Sequence, residues 1–237
     1  MKLKKSVVTS LLFSLLSTQS YAFRVDKMVL VSDQKGNGVI TLTNDEEDPL
    51  FILSEIEELK VDGNDIVKKK YDRNNLDEWK ISLTNQKLIL APGEEKDIGI
   101  RSLCHNTTCD DSRDLMFMLP FSPSKYRTEE QETSGVEINY GFAPIYIIPT
   151  SKPVYSYEIL NKGATMIVNN KSNTLLNLYL DSCDSKNSIQ CKQKFTVVAG
   201  RNKTFPLTEA MQSDELNITV NSHDRSYSKS ISVLKGR

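Results

Sequence analysis

The chain has 237 residues, of which 38% are hydrophobic, 26% charged and 8% aromatic. That is enough apolar material for one large or two modest packed domains, and too mixed for a collagen, a coiled coil or a disordered tail. Lys and Arg number 30 against 31 Asp and Glu, and there are only two histidines, His105 and His223. The balance excludes a sequence-independent attraction to nucleic acid and leaves little for a histidine-based catalytic or zinc site.

The first 22 residues read as a secretory signal peptide. Lys2, Lys4 and Lys5 form a basic start, Val7 to Leu16 is a mostly apolar run, and Ser20-Tyr21-Ala22 supplies small residues for cleavage before Phe23. The apolar run is far short of the roughly 20 residues needed to cross a bilayer. No cysteine follows it, so no lipid anchor is expected. The product is expected to be exported and soluble.

Cysteine usage agrees with an oxidising address. Cys104 lies close to Cys109 and Cys183 close to Cys191, with none left over, which predicts two local disulfides. Each closes a short loop, so the expected gain is roughly 2–3 kcal/mol apiece at best. A metal site from Cys104, His105, Cys109, Asp110 and Asp111 is the alternative. It is disfavoured because adjacent Cys and His chelate poorly together and no second ligand pair follows. Neither a metal nor a cofactor is expected. Sequons at Asn106, Asn170, Asn202 and Asn217 mark polar turns or strand edges.

From residue 23 onward the pattern is of strands. Val39 to Thr43 follows the turn Gly36-Asn37-Gly38, and Leu50 to Val61 is extended and ends in the hairpin turn Asp62-Gly63-Asn64. Lys87 to Leu90 meets Ala91-Pro92-Gly93 and resumes as Lys96 to Arg101, and Leu115 to Leu119 precedes a long final strand, Val136 to Ile148. About seven short strands over about 125 residues predict an immunoglobulin-like sandwich for residues 23–149. Two prolines in Pro149-Thr150-Ser151-Lys152-Pro153 break the pattern and predict a linker at 150–153. Strands restart at Tyr155 to Ile159, Thr165 to Val168, Leu175 to Leu180, Phe195 to Val198, Leu216 to Val220 and Ser228 to Leu234, predicting a second sandwich over 154–237. The fold class is therefore all-β, two sandwiches in series. No phosphate loop, paired-histidine motif or nucleophile elbow is present, so no enzyme is expected.

The most informative stretch runs from Arg101 to Pro149. After Ser122-Pro123-Ser124-Lys125 and a polar loop comes the long alternating strand, in which Val136, Ile138, Tyr140 and Phe142 share a face. A strand that is long and last in its domain can offer side chains and backbone hydrogen bonds to another protein's incomplete sheet. Pro144 would stop pairing on one edge.

The order of these features resembles the periplasmic chaperones of chaperone–usher pilus assembly. Leu88 to Gly93 followed by Lys96 to Arg101 is similar to that family's apolar strand, Pro-Gly turn and strand ending in Arg. Ser122 to Lys125 is similar to its proline-containing segment ending in a basic residue, and Ile145 to Pro149 to the close of its last N-domain strand. In the second half, Thr165 to Asn170 and Leu178 to Cys183 through Cys191 resemble the alternate, colonisation-factor-type branch.

The resemblance implies two immunoglobulin-like domains in an L shape, a periplasmic location and no chemical step. The implied partners are pilus or fimbrial subunits, completed by a donated strand, and an outer-membrane usher that receives them. Self-association that caps the donor strand stays open. Val136, Ile138, Tyr140 and Phe142 would be the donor side chains. Lys125 would anchor the subunit's C-terminal carboxylate, with Arg24 or Lys27 as a second cation; such a charge-assisted bond contributes roughly 1.5–3 kcal/mol net. The rival reading is a secreted or surface pilus subunit or adhesin built from similar sandwiches.

Overall fold

The computed structural model describes residues 22–63, 65–104, 109–127, 139–183 and 190–236. The signal segment through residue 21, His105, Asn106, Val136 and Ile138 lie outside the described residues. The first half carries β1 (Phe23–Val25), β2 (Val29–Val31), β3 (Gly38–Asn44), β4 (Leu50–Ser54), β5 (Glu57–Asp62), β6 (Asp65–Lys70), β7 (Ile81–Leu83), β8 (Lys87–Leu90), β9 (Glu95–Ser102), β10 (Leu115–Met118), β11 (Phe121–Lys125) and β12 (Ile145–Ile148). The second half carries β13 (Tyr157–Asn161), β14 (Thr165–Asn170), β15 (Leu176–Asp181), β16 (Lys192–Val197), β17 (Asn202–Pro206), β18 (Glu215–Asn221) and β19 (Ser228–Leu234). Among the described residues the only helical turns are short 3-10 segments at Leu76–Glu78 and Glu209–Met211. The fold is all-β, as predicted.

In the first sandwich one layer runs β1-β3-β9-β7 and the other β2-β12-β10-β5-β6, with β11-β4-β8 continuing it. The register of β10 on β5 carries straight through to β11 on β4, across a break at Glu55–Ile56 and Leu119–Pro120 that Glu55 N–H spans by donating to Pro120 O. These form one long ladder whose two halves take different outer neighbours, β6 beside β5 and β8 beside β4. Between the layers Ile40, Leu42, Ile52, Ile98, Phe117 and Tyr146 are among the fully buried side chains. The Gly36-Asn37-Gly38 turn serves this core: Tyr146 Oη donates to Gly36 O at 2.6 Å. A Cβ at Gly38 would lie 2.8 Å from the Tyr146 ring, so only glycine admits it.

The second sandwich packs β13-β14-β17 on β16-β15-β18-β19 around Met166, Val168, Leu178, Phe195 and Ile218. Asn170 lies at the mouth of the polar turn 171–174, where its Oδ1 accepts from Ser172 N–H at 2.9 Å. It is buried at the end of β14 and donates to the carbonyls of Thr174, Val197 and Val198. Both predicted disulfides form, Cys104–Cys109 and Cys183–Cys191, with Cα atoms 5.3 and 4.9 Å apart. The sulfurs are thereby committed, and no thiolate remains for a metal.

One expectation is corrected. Val136 to Ile148 is not a continuous strand: over the described part, only Ile145–Ile148 is strand, with an isolated bridge at Phe142. The cause is proline. Leu119 N–H donates to Pro144 O, but Pro144 has no N–H to return the bond. At the next hydrogen-bonded position beyond Phe121 and Phe142, the β11 residue is Pro123, which likewise cannot donate.

Candidate functional site

The last strand of the first sandwich is covered unevenly. β12 is flanked by β10 on one edge and by β2, in parallel, on the other. The β2 cover stops at Met28, whose carbonyl accepts from Ile145 N–H at 2.9 Å. Upstream of that point, residues 139–143 have a neighbouring strand only on the β11 side among the described residues: Phe142 exchanges backbone hydrogen bonds of 2.7 and 3.1 Å with Phe121. Side-chain alternation then decides what is offered. Tyr146 points into the core, and Phe142, on the same face, packs against that core with its ring 5.9 Å from Phe23. Tyr140 comes next by alternation, but the last bridge to β11 is at Phe142, and Tyr140 is 78% exposed. Of the four predicted donor residues, then, Phe142 fills its own domain and Tyr140 faces solvent. Gly141 permits the close approach of this segment to β11, since a Cβ there would sit 2.6 Å from Phe121 O.

Two of the three predicted cations, Lys125 and Arg24, gather near one turn. Lys125 closes β11 opposite Leu50, and Arg24 is central in β1 opposite Thr43. The turn joining β3 to β4 supplies an acid to each. Lys125 Nζ donates to Asp48 Oδ2 at 2.7 Å and Arg24 Nε to Asp45 Oδ2 at 2.5 Å, with Glu95 3.5 Å from Arg24. Lys27 pairs instead with its neighbour Asp26 at 3.2 Å. All these pairs are exposed, so each is screened and weak.

Against known proteins, residues 25–149, more than half of the chain, match the model of the CS5 fimbrial protein N-terminal domain. The chain belongs to the CS5 fimbrial protein family. A curated relative, an uncharacterized 25.9 kDa protein in the CS5 3′ region of Escherichia coli, is 25% identical over 184 residues, covering 76% of this chain and 79% of the relative. Among solved structures, the class 5 fimbriae chaperone CfaA superposes with a TM-score of 0.52 at 14% identity, covering 91% of this chain and 99% of that one. A chain from the complex of the Salmonella enterica SafA pilin with the SafB chaperone gives a TM-score of 0.54 at 9% identity, covering 92% and 98%. At these identities the likeness carries the fold: this member of the CS5 family has the two-sandwich fold of fimbrial chaperones.

The sequence reading missed how the sandwiches are joined in this CS5 family member. Asp111 accepts from the amide of Ser151 at 2.8 Å and from its hydroxyl, and its carbonyl accepts from Thr150 Oγ1 at 2.6 Å. Asp114 accepts from Thr150 N–H (3.0 Å), Leu175 N–H (2.8 Å) and Thr174 Oγ1 (3.1 Å). Burial raises the Asp114 carboxyl above its ordinary range, against those three donors. Asn173 Nδ2 donates to the carbonyls of both Ser112 and Lys152. Beside this junction lies a cleft of about 230 Å³ lined by residues that include Glu58, Lys80, Arg113, Asp114 and Ala199. Its lining includes a part-buried ion pair: Lys80 Nζ donates to Glu58 Oε1 at 2.5 Å, and Tyr71 Oη donates to Glu58 Oε2 at 2.9 Å. Burial, followed by Glu58, pushes the Tyr71 hydroxyl well above its usual range. A lone Asp before a strand and an Asn in a polar loop carry no sequence signal for contacts 36 to 61 residues away.

Proposed function

We propose that this protein is a periplasmic chaperone that binds fimbrial subunits by donating a strand and delivers them to an outer-membrane usher. The observation that carries the reading is the stretch of residues 139–143, bridged to β11 at Phe142 on one side, with no strand on the other among the described residues and with Tyr140 uncovered. An unpaired edge is a template for another strand, and an incomplete subunit has the complementary defect. Docking there would pair both edges and place Val136, Ile138 and Tyr140 in the subunit's groove, with Phe142 rooting the strand in its own domain. Export follows from the N-terminal segment, and the two disulfides suit an oxidising compartment.

Lys125, with Arg24 beside it, is the proposed anchor for the subunit's C-terminal carboxylate. Both already hold a carboxylate from the β3–β4 turn, in exposed pairs that an incoming carboxylate can replace at little cost. Lys27, paired to Asp26, is the lesser candidate.

The test is periplasmic co-expression with the fimbrial subunit encoded beside this gene, followed by size-exclusion chromatography. A stable heterodimer that is lost in Tyr140→Asp supports strand donation, and loss in Lys125→Ala supports the anchor. A heterodimer indifferent to Lys125 keeps the function and moves the anchor elsewhere. Equal aggregation or degradation of the subunit with and without this protein removes the chaperone reading.

A further inference from the structure

The apolar contact between the two sandwiches is small. It centres on Leu59, Met116 and Ile147 of the first against Leu175 of the second, with Val61 and Val198 alongside. Contacts of that kind leave relative domain motion as the default expectation. What supplements them is polar and concentrated in one short segment, Asp111 to Asp114, which grips residues 150 and 151 of the connection and 173 to 175 of the second sandwich. At its end this segment runs into β10. At its start it is held by Cys109, bonded to Cys104 directly after β9.

The Cys104 end is well fixed. Leu103 N–H donates to Lys80 O at 2.8 Å, Cys104 N–H to Ser102 Oγ at 3.3 Å, and Ser102 N–H to Asn37 Oδ1 at 3.0 Å. We propose that Cys109–Asp114, tied back to β9 by the Cys104–Cys109 disulfide, is a clamp that sets the orientation of the two sandwiches. The disulfide is its base. With the bond closed, only Asp110 lies between the held Cys109 and Asp111; with it open, the whole connection from β9 to β10 is a loop whose ordering must come from the clamp's own hydrogen bonds. Asp111, nearest the disulfide and exposed, depends on it most; Asp114, buried and adjoining β10, depends on it least. The orientation is therefore complete only after oxidation. The Cys183–Cys191 bond lies between β15 and β16, and the contacts between the sandwiches named above use neither cysteine.

The experiment is ¹⁵N relaxation on the exported, oxidised protein, which reads tumbling of each half separately. In the wild type, amides of both sandwiches share one rotational correlation time. Cys104→Ser/Cys109→Ser is expected to split that value in two, with the shorter time in the second sandwich, and Asp111→Ala to do the same with the disulfide intact. Cys183→Ser/Cys191→Ser keeps the common value. A single shared time in Cys104→Ser/Cys109→Ser overturns the role of the disulfide. Should that double variant fail to fold, Asp111→Ala decides: a shared time there overturns the clamp.

Discussion

The two ends of one ladder in the first sandwich behave as different objects although their register is the same. At the end near the second sandwich, β10 lies between β5 and β12, and Phe117, Tyr146 and Ile147 are fully buried. At the other end, β11 lies between β4 and a segment that meets it at the single bridge of Phe121 and Phe142. Pro144 and Pro123 each remove a donor from that side of the ladder, and residues 139–141 are exposed although Ile52 and Leu50 of β4 stay buried alongside. Strand cover is complete at one end and partial at the other, and the proposed donation uses the partial end. Under the proposed strand donation, the side chains that precede Phe142 in this register would be the ones a subunit receives.

The largest test of this division is Phe117→Ala. The ring is fully buried and touches both Tyr71 and Tyr146, at 6.2 and 6.4 Å between centroids. Its removal is expected to cost about 3–5 kcal/mol in denaturant titrations. A loss under about 1 kcal/mol would show that the covered end is not where stability resides. Gly141→Val comes next. Its Cβ would collide with Phe121 O, and the shift needed to relieve that clash is expected to cost about 1–3 kcal/mol and to abolish subunit capture. Unchanged capture would place the donor segment elsewhere. Tyr146→Phe, which deletes only the hydrogen bond to Gly36 O, is expected to cost about 1 kcal/mol with capture intact.

Acid separates the two clamp carboxylates by sign. Ser151 holds Asp111 below the ordinary carboxylate range. Its contribution is therefore complete above about pH 4, the unfolded value, and is lost as pH falls through the lower folded one. Asp114 is raised by burial, so its ionised form is the one folding disfavours, and that cost lessens as pH falls. In urea titrations across the acid range, Asp111→Asn is expected to flatten the decline in stability below about pH 4, and Asp114→Asn is not. The reverse pattern would exchange their roles.

What could be read from the sequence follows from what each feature depends on. Strands such as β3, β8 and β18 are alternating or apolar segments between turn residues, so local pattern suffices, and paired cysteines at short spacing need only proximity. β6, Asp-Ile-Val-Lys-Lys-Lys, carries no alternation. Its lysines pair with Glu57, Glu55 and Glu78, outside its own run. The long final strand was legible as alternation, but its interruption was not. Only the register shows that Pro123 and Pro144 fall at hydrogen-bonding positions of the same ladder. The clamp was invisible because Asp111, Asp114 and Asn173 act entirely through distant backbone groups.

The smallest expected change in stability is also the sharpest test of the open end. Tyr140 is 78% exposed, so Tyr140→Ser is expected to move stability by no more than about 0.5 kcal/mol. Phe142, two residues on, shares its face but packs against the core and Phe23, so Phe142→Ser removes apolar contact and should cost several times more. Capture of the fimbrial subunit should show the opposite ranking relative to stability: lost in Tyr140→Ser while the protein itself remains as stable as the wild type. Equal losses of stability in the two variants would mean that Tyr140 belongs to its own domain's core. Unchanged capture in Tyr140→Ser would mean that the aligned face is not what the subunit receives. The contrast works because the two positions share a strand face and a register, and differ only in whether this chain has anything left to cover them.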